Sequence, residues 1–202
     1  MIGVIDYGAG NIKSLQNGFE YLGEKTKIIS EKFNPHDFSH LILPGVGAFC
    51  NAMDALQKRD LQHSILEFVN DKKPFLGICL GMQLLCTIGH EPFKCDGLGI
   101  IEGECKKLQN TPRTPHVGWN NILIENNHKI LKGIKKGCDF YFVHSYFVEC
   151  DEKFVVAKTE YGTTFNSIIA FENIIGIQFH PEKSQENGLK ILENFVEMDK
   201  YA

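Results

Sequence analysis

The sequence predicts a single-domain α/β fold with a central, mostly parallel sheet and added antiparallel strands. Three observations carry this expectation. The chain has 202 residues, 43% of them hydrophobic, enough for one full core and short for two. In its first half, short, uniformly apolar runs alternate with stretches whose apolar residues recur every three or four positions, as buried parallel strands joined by helices require. Beyond residue 98 the pattern changes to short alternating strands closed by one amphipathic helix.

Ile2 to Ile5 is the first apolar run and ends at the turn Asp6-Tyr7-Gly8-Ala9-Gly10. A helix follows with Ile12, Leu15, Phe19 and Leu22 on one face and Gly23 as its stop. Lys27 to Ile29 and His40 to Leu43 are the second and third strands. Pro44-Gly45-Val46-Gly47 then leads into a helical stretch from about Ala48 to Asn70 that breaks near Arg59. Phe75 to Ile78 is a fourth buried strand, and Leu80 to Ile88 is expected as a helix stopped by Gly89. The second half offers strands at 99–101, 104–108, 121–124, 140–143, 147–150, 154–159, 167–171 and 174–179. The closing helix, from about Glu186 to Met198, carries Leu189, Leu192, Phe195 and Val196 on one stripe. No repeat, low-complexity tract or linker interrupts this order.

Twenty-one Lys+Arg against 25 Asp+Glu leave a net charge of −4, and no dense basic stripe is present, which argues against a dedicated nucleic-acid binder. The longest apolar runs fall far below the roughly 20 residues that span a bilayer, and Asp6 interrupts any signal-peptide core. A cytoplasmic protein is expected. The seven cysteines, at 50, 79, 86, 95, 105, 138 and 150, are odd in number and form neither a paired CxxC zinc ribbon nor a disulfide scaffold. They are expected to be reduced thiols, mostly small buried hydrophobes, and the open question is whether one is reactive.

Cys79 answers that description. Gly77-Ile78-Cys79-Leu80-Gly81 follows a buried strand and precedes a helix, the cysteine counterpart of the nucleophile elbow, in which crowding demands glycine on both flanks. A thiolate there would sit at a helix N-terminus, and the Leu80 N–H would face the oxygen of a tetrahedral adduct. The plain alternative is a buried cysteine between packing glycines. The base such a thiol needs is offered by Gln178-Phe179-His180-Pro181-Glu182, at the end of an apolar strand. In an extended segment His180 and Glu182 share a face, so the carboxylate can fix the imidazole's tautomer; a strand-capping histidine beside a surface glutamate is the simpler account. His36, His40, His63, His90 and His128 fall in polar turns or on helix surfaces.

Taken together, Gly77-Ile-Cys-Leu-Gly-Met-Gln83 and Phe179-His-Pro-Glu182, about a hundred residues apart, resemble the class I (triad) glutamine amidotransferases. Pro44-Gly45-Val46-Gly47-Ala48-Phe49, Pro115-His-Val-Gly-Trp-Asn120, Tyr141-Phe-Val-His-Ser-Tyr146 and His180-Pro-Glu-Lys-Ser184 are similar, more narrowly, to the glutaminase subunits of imidazole glycerol phosphate synthases. The likeness runs from Asp6 to the last helix. It implies a flavodoxin-like fold and hydrolysis of glutamine to glutamate and ammonia, needing no cofactor or metal. It also implies a HisF-type (β/α)8-barrel cyclase partner in a heterodimer; there the ammonia yields imidazole glycerol phosphate and AICAR in histidine biosynthesis. In that light Cys79 is the nucleophile, His180 the general acid and base, and Glu182 its orienter. Leu80 and the Gly45-Val46-Gly47 segment would supply the oxyanion donors, the glycines permitting a peptide flip. Gln83, one helical turn after Cys79, would bind the substrate glutamine. Tyr141, His144, Ser145 and Tyr146 resemble the substrate-pocket wall; Trp119, Asn120 and Lys183 would face the partner.

Other readings compete. Gly8-Ala9-Gly10 suggests a dinucleotide loop, but Lys13 stands where the third glycine belongs. A stand-alone Cys-His γ-glutamyl hydrolase, a scaffold without activity, and a paralogue that feeds ammonia to another synthase, for instance one amidating a surface sugar, complete the alternatives.

Overall fold

The computed structural model describes residues 1–198. Its main sheet begins with β1 (Ile2–Ile5), and α1 (Ile12–Tyr21) leads to β2 (Thr26–Ile29) and β3 (His40–Gly45). The Asn11 side chain caps α1 by accepting from the Ser14 N–H. Next come α2 (Phe49–Lys58) and α3 (Leu61–Asn70), divided at Asp60, whose left-handed backbone (φ 55°) makes the break expected near Arg59. β4 (Phe75–Cys79) runs directly into α4 (Leu80–Gln83).

The second half supplies β5 (Cys86–Gly89), β6 (Cys95–Asp96), β7 (Ile101–Lys107), β8 (His116–Asn121), β9 (Leu123–Ile124), β10 (Asp139–His144) and β11 (Tyr146–Cys150). It continues through β12 (Val155–Tyr161), β13 (Thr163–Phe171) and β14 (Ile174–Ile177) to α5 (Gln185–Glu197).

Eight strands form one sheet in the order β2-β1-β3-β4-β14-β13-β12-β9. The first five are parallel, and β13, β12 and β9 extend the sheet antiparallel. This is the expected division, with the last parallel strand delivered from the far end of the chain. Both faces are covered. Leu41, Leu43 and Phe75 pack on one side with Leu56, Leu61, Ile65 and Phe68 of α2 and α3. Val4, Ile42, Leu76 and Ile78 pack on the other with Leu15 and Phe19 of α1 and Ile191, Leu192 and Phe195 of α5. Burial on both faces is why these strands are continuously apolar. Beside this sheet lie a four-stranded sheet, β11-β7-β5-β6, and the hairpin-like pair β10-β8.

The structure corrects four expectations. The helix expected over Leu80 to Ile88 lasts only to Gln83, and Cys86–Gly89 is a strand. Leu84, Leu85 and Cys86 are wholly buried, and their carbonyls accept from Leu98, Gly99, Ile100 and Ile101, so tertiary pairing replaces the helical ladder. Gly89 is not a helix stop: a Cβ there would lie 2.3 Å from the Phe49 ring. The segments at 99–101 and 104–108 merge into β7, and 121–124 splits between β8 and β9. Finally, Cys50 and Cys95 are joined in a disulfide, leaving Cys79, Cys86, Cys105, Cys138 and Cys150 as thiols. Forty-five residues separate that pair. Only the docking of the β6 loop on the first turn of α2 brings them together, a contact no local spacing encodes.

Candidate active site

Cys79 lies at the C-terminal end of β4, between the parallel strands β3 and β14. Its backbone is held at φ 54° and ψ −107°, a region side chains rarely occupy and one typical of functional turns. The flanking glycines are sterically required: a Cβ on Gly77 would lie 2.6 Å from the Gly81 carbonyl oxygen, and one on Gly81 only 1.7 Å from that of Leu43. The elbow read from the pentapeptide is therefore present. With α4 a single turn, a helix dipole contributes little, and the sulfur depends on its neighbours. The parallel register sets two of them. Gly45 of β3 pairs with Cys79 itself, and Ile177 of β14 pairs with Ile78, which brings the next residue, Gln178, alongside Cys79.

His180 follows two residues later, buried, with φ −99° and ψ 100°. Pro181 starts a 3-10 turn over Pro181–Lys183, so Glu182 is not on an extended segment as expected. The turn still returns its carboxylate to the imidazole, with His180 Nδ1 donating to Glu182 Oε1 at 2.8 Å. Both side chains are 4% exposed. That bond leaves Nε2, which has no other hydrogen-bond partner among the described residues, to address Cys79. Burial alone would lower the His180 pKa, but bonds and charges from Cys79 and Glu182 outweigh it and push it up to about 10. Ser184 braces the segment: its hydroxyl donates to the His180 carbonyl at 2.6 Å and accepts from the Tyr141 N–H at 3.0 Å.

The sulfur opens into a cavity of about 350 Å³ lined by Val46, Gly47, Ala48, Leu80, Gln83, Glu91, Pro115, Val143, His144, Ser145 and Tyr146. Gln83 donates through Nε2 to the Tyr146 carbonyl at 2.9 Å and to Gln178 Oε1 at 3.2 Å, so its own Oε1 is what it can offer a ligand. His144 donates from Nδ1 to the same carbonyl at 2.8 Å. Its Nε2 must then accept from His116 Nδ1, 3.1 Å away, and His116 Nε2 faces the Asn120 amide at 3.4 Å. Burial lowers both histidines, His116 to about 4 and His144 to about 3, so the chain is neutral.

Several expected residues lie elsewhere. Tyr141 is outside the cavity, its ring 6.1 Å from Trp119 and beneath the Lys183 ammonium, because its position in the β10 alternation turns it to the opposite side from Phe142 and His144. Gly45 stays within β3 and does not line the cavity; Val46 and Gly47 do. Trp119 is exposed beside exposed Val117, but the Asn120 amide is engaged within the chain, donating to the Glu160 carbonyl at 2.9 Å. His40, expected in a polar setting, is buried edge-on against Phe195. Sequence reasoning missed Glu91, a cavity carboxylate whose pKa burial raises, and Gln178. Both depend on distant segments meeting.

A buried thiol at a strained strand-to-helix elbow, a carboxylate-bonded imidazole and an adjoining cavity are the parts an acyl-transfer site requires. The family model for class-I glutamine amidotransferases matches residues 3–198, and the chain belongs to that family. It is 48% identical, over 99% of both chains, to the imidazole glycerol phosphate synthase subunit HisH of Caldanaerobacter subterraneus subsp. tengcongensis. It is 47% identical to the protein of the same name from Methanocaldococcus jannaschii, over 98% of this chain and all of that one. Among solved structures, a glutamine amidotransferase from Thermotoga maritima superposes with a TM-score of 0.73 over 100% of this chain and 98% of that one. A chain of PurLQS from the same organism gives 0.75 over 96% of each. At 17% and 18% identity, these two speak to the fold alone.

Proposed function

We propose that the chain is the glutaminase subunit of an imidazole glycerol phosphate synthase, with Cys79, His180 and Glu182 as its catalytic triad. The observation that carries the chemistry is the 2.8 Å bond from His180 to buried Glu182, which leaves the other imidazole nitrogen for Cys79. His180 Nε2 takes the thiol proton as Cys79 attacks the side-chain amide carbonyl of glutamine. The tetrahedral oxygen is held by the Leu80 N–H and an N–H of the Val46-Gly47 wall. The imidazolium, favoured by its raised pKa, protonates the departing nitrogen, and ammonia leaves a γ-glutamyl thioester. His180 then deprotonates the water that hydrolyses it, releasing glutamate. Gln83 Oε1 and the Glu91 carboxylate suit the donors of the substrate, the latter its α-ammonium group.

The 47–48% identity to proteins named HisH supports delivery of the ammonia to a HisF-type (β/α)8-barrel cyclase. Exposed Val117 and Trp119 on β8 and Lys183 beside the triad are suited to that contact. The test is reconstitution with a barrel cyclase. Cys79→Ala should abolish glutamine-dependent synthesis of imidazole glycerol phosphate and leave ammonia-dependent synthesis intact; loss of both would favour a scaffold. Failure of the wild-type gene to restore growth of a histidine auxotroph would favour another synthase.

A further inference from the structure

The register that pairs Ile177 with Ile78 carries Gln178 alongside the thiol. Gln178 is fully buried, and its Nε2 lies 3.7 Å from Cys79 Sγ. Which end of an amide faces a sulfur is ambiguous in isolation, and here the surroundings decide it. The Tyr146 carbonyl can only accept, so the Gln83 nitrogen must face it. That nitrogen's second proton goes to Gln178, so Gln178 presents its oxygen to Gln83. Its NH₂ group is thereby turned to Cys79. Fixed in this way, two amides transmit the polarity of one backbone carbonyl to the sulfur.

We propose that Gln178 is a catalytic residue of the glutaminase reaction, a fixed donor to the Cys79 thiolate whose direction is set through Gln83 by the Tyr146 carbonyl. This rests on the glutaminase reading above. When the thiol proton passes to His180, the sulfur gains a full charge in a buried site, and the Gln178 N–H already faces it without rearrangement. Because Gln83 also walls the cavity, a glutamine bound there contacts the group that aims this donor. The other titratable groups acting on the sulfur or facing its cavity include His180, with Glu182 behind it, Tyr7 after β1, His144 on β10, Tyr146 on β11, Cys105 on β7 and Glu91 in the β5-β6 loop.

The experiment follows iodoacetamide alkylation of the full-length chain from pH 5 to 10, with the Cys79 peptide quantified by mass spectrometry. Gln178→Met keeps the volume and removes the donor. It should move the half-maximal pH for alkylation upward by about one unit, and in the reconstituted complex lower kcat more than it raises KM. Gln83→Met, which does not touch the sulfur, should give a smaller upward shift together with a raised KM. An unshifted profile in folded Gln178→Met overturns the proposal. Should that variant not fold, an unshifted profile in Gln83→Met overturns it instead. Alkylation requires no turnover, so these outcomes stand apart from the glutaminase reading, which fails if the wild-type complex does not consume glutamine.

Discussion

Glu182 touches the reacting groups only through His180, and this determines what its loss should do. Glu182→Gln keeps the shape but removes the charge that favours the imidazolium. Glutamine-dependent kcat should fall about 100-fold or more with little change in KM, since general acid–base contributions are of that size; steady-state kinetics of the complex would show it. Glu91→Gln should do the reverse, raising KM for glutamine with kcat nearly unchanged, if the carboxylate holds the α-ammonium group. The residues of the proposed triad are legible because each carries a local mark: two obligatory glycines around Cys79, and a proline between His180 and Glu182, though the turn it starts there is not itself legible. Glu91 and Gln178 carry no such mark. The position of Gln178 beside the sulfur follows from pairing two strands whose contact residues are 99 apart, and Glu91 enters the cavity only because its loop folds over α2.

The elements show what enforces the elbow. Gly81→Ala would place a methyl carbon 1.7 Å from the Leu43 carbonyl oxygen, and a backbone oxygen has no rotamer by which to yield. The variant should lose more than about 3 kcal/mol of stability, measurable by urea denaturation, or fail to fold. A Gly23→Ala change at the end of α1, where nothing lies within 4 Å, should cost far less, about 1 kcal/mol, for its positive φ alone. Elements with an exposed face were readable from periodicity, as in α1, α2, α3 and α5. The stretch from Leu84 to Cys86 was not, because residues buried on every side leave no stripe, and an apolar run of that length suits helix or strand equally.

At the scale of the whole molecule, the neutral histidine pair ties stability to pH. His116 and His144 titrate near 4 and 3 in the folded chain but near 6.5 once unfolded. Between those values the unfolded state binds protons that the folded state refuses, so the contribution of this pair to stability is full above about pH 6.5 and is lost on acidification. For His144 the slope is roughly 1.4 kcal/mol per pH unit. The melting temperature should drop from pH 7 to 5 more steeply in the wild type than in His144→Asn; equal slopes would contradict the assignment. The strand order at this scale was only half visible. Composition and periodicity implied a parallel sheet with antiparallel additions, but not that β14 completes the parallel set beside β4, and it is this long return that joins His180 to Cys79.

The bond between Cys50 and Cys95 closes a covalent ring around part of the chain. Inside that ring lie β4, Cys79, Gln83 and Glu91, whereas His180 and Glu182 lie outside it. A protease that cuts once between residues 50 and 95, for example at the exposed Asp71-Lys72 turn, would leave a nicked molecule whose two pieces remain tethered. Such a product should run as one band on a non-reducing gel and as two after reduction.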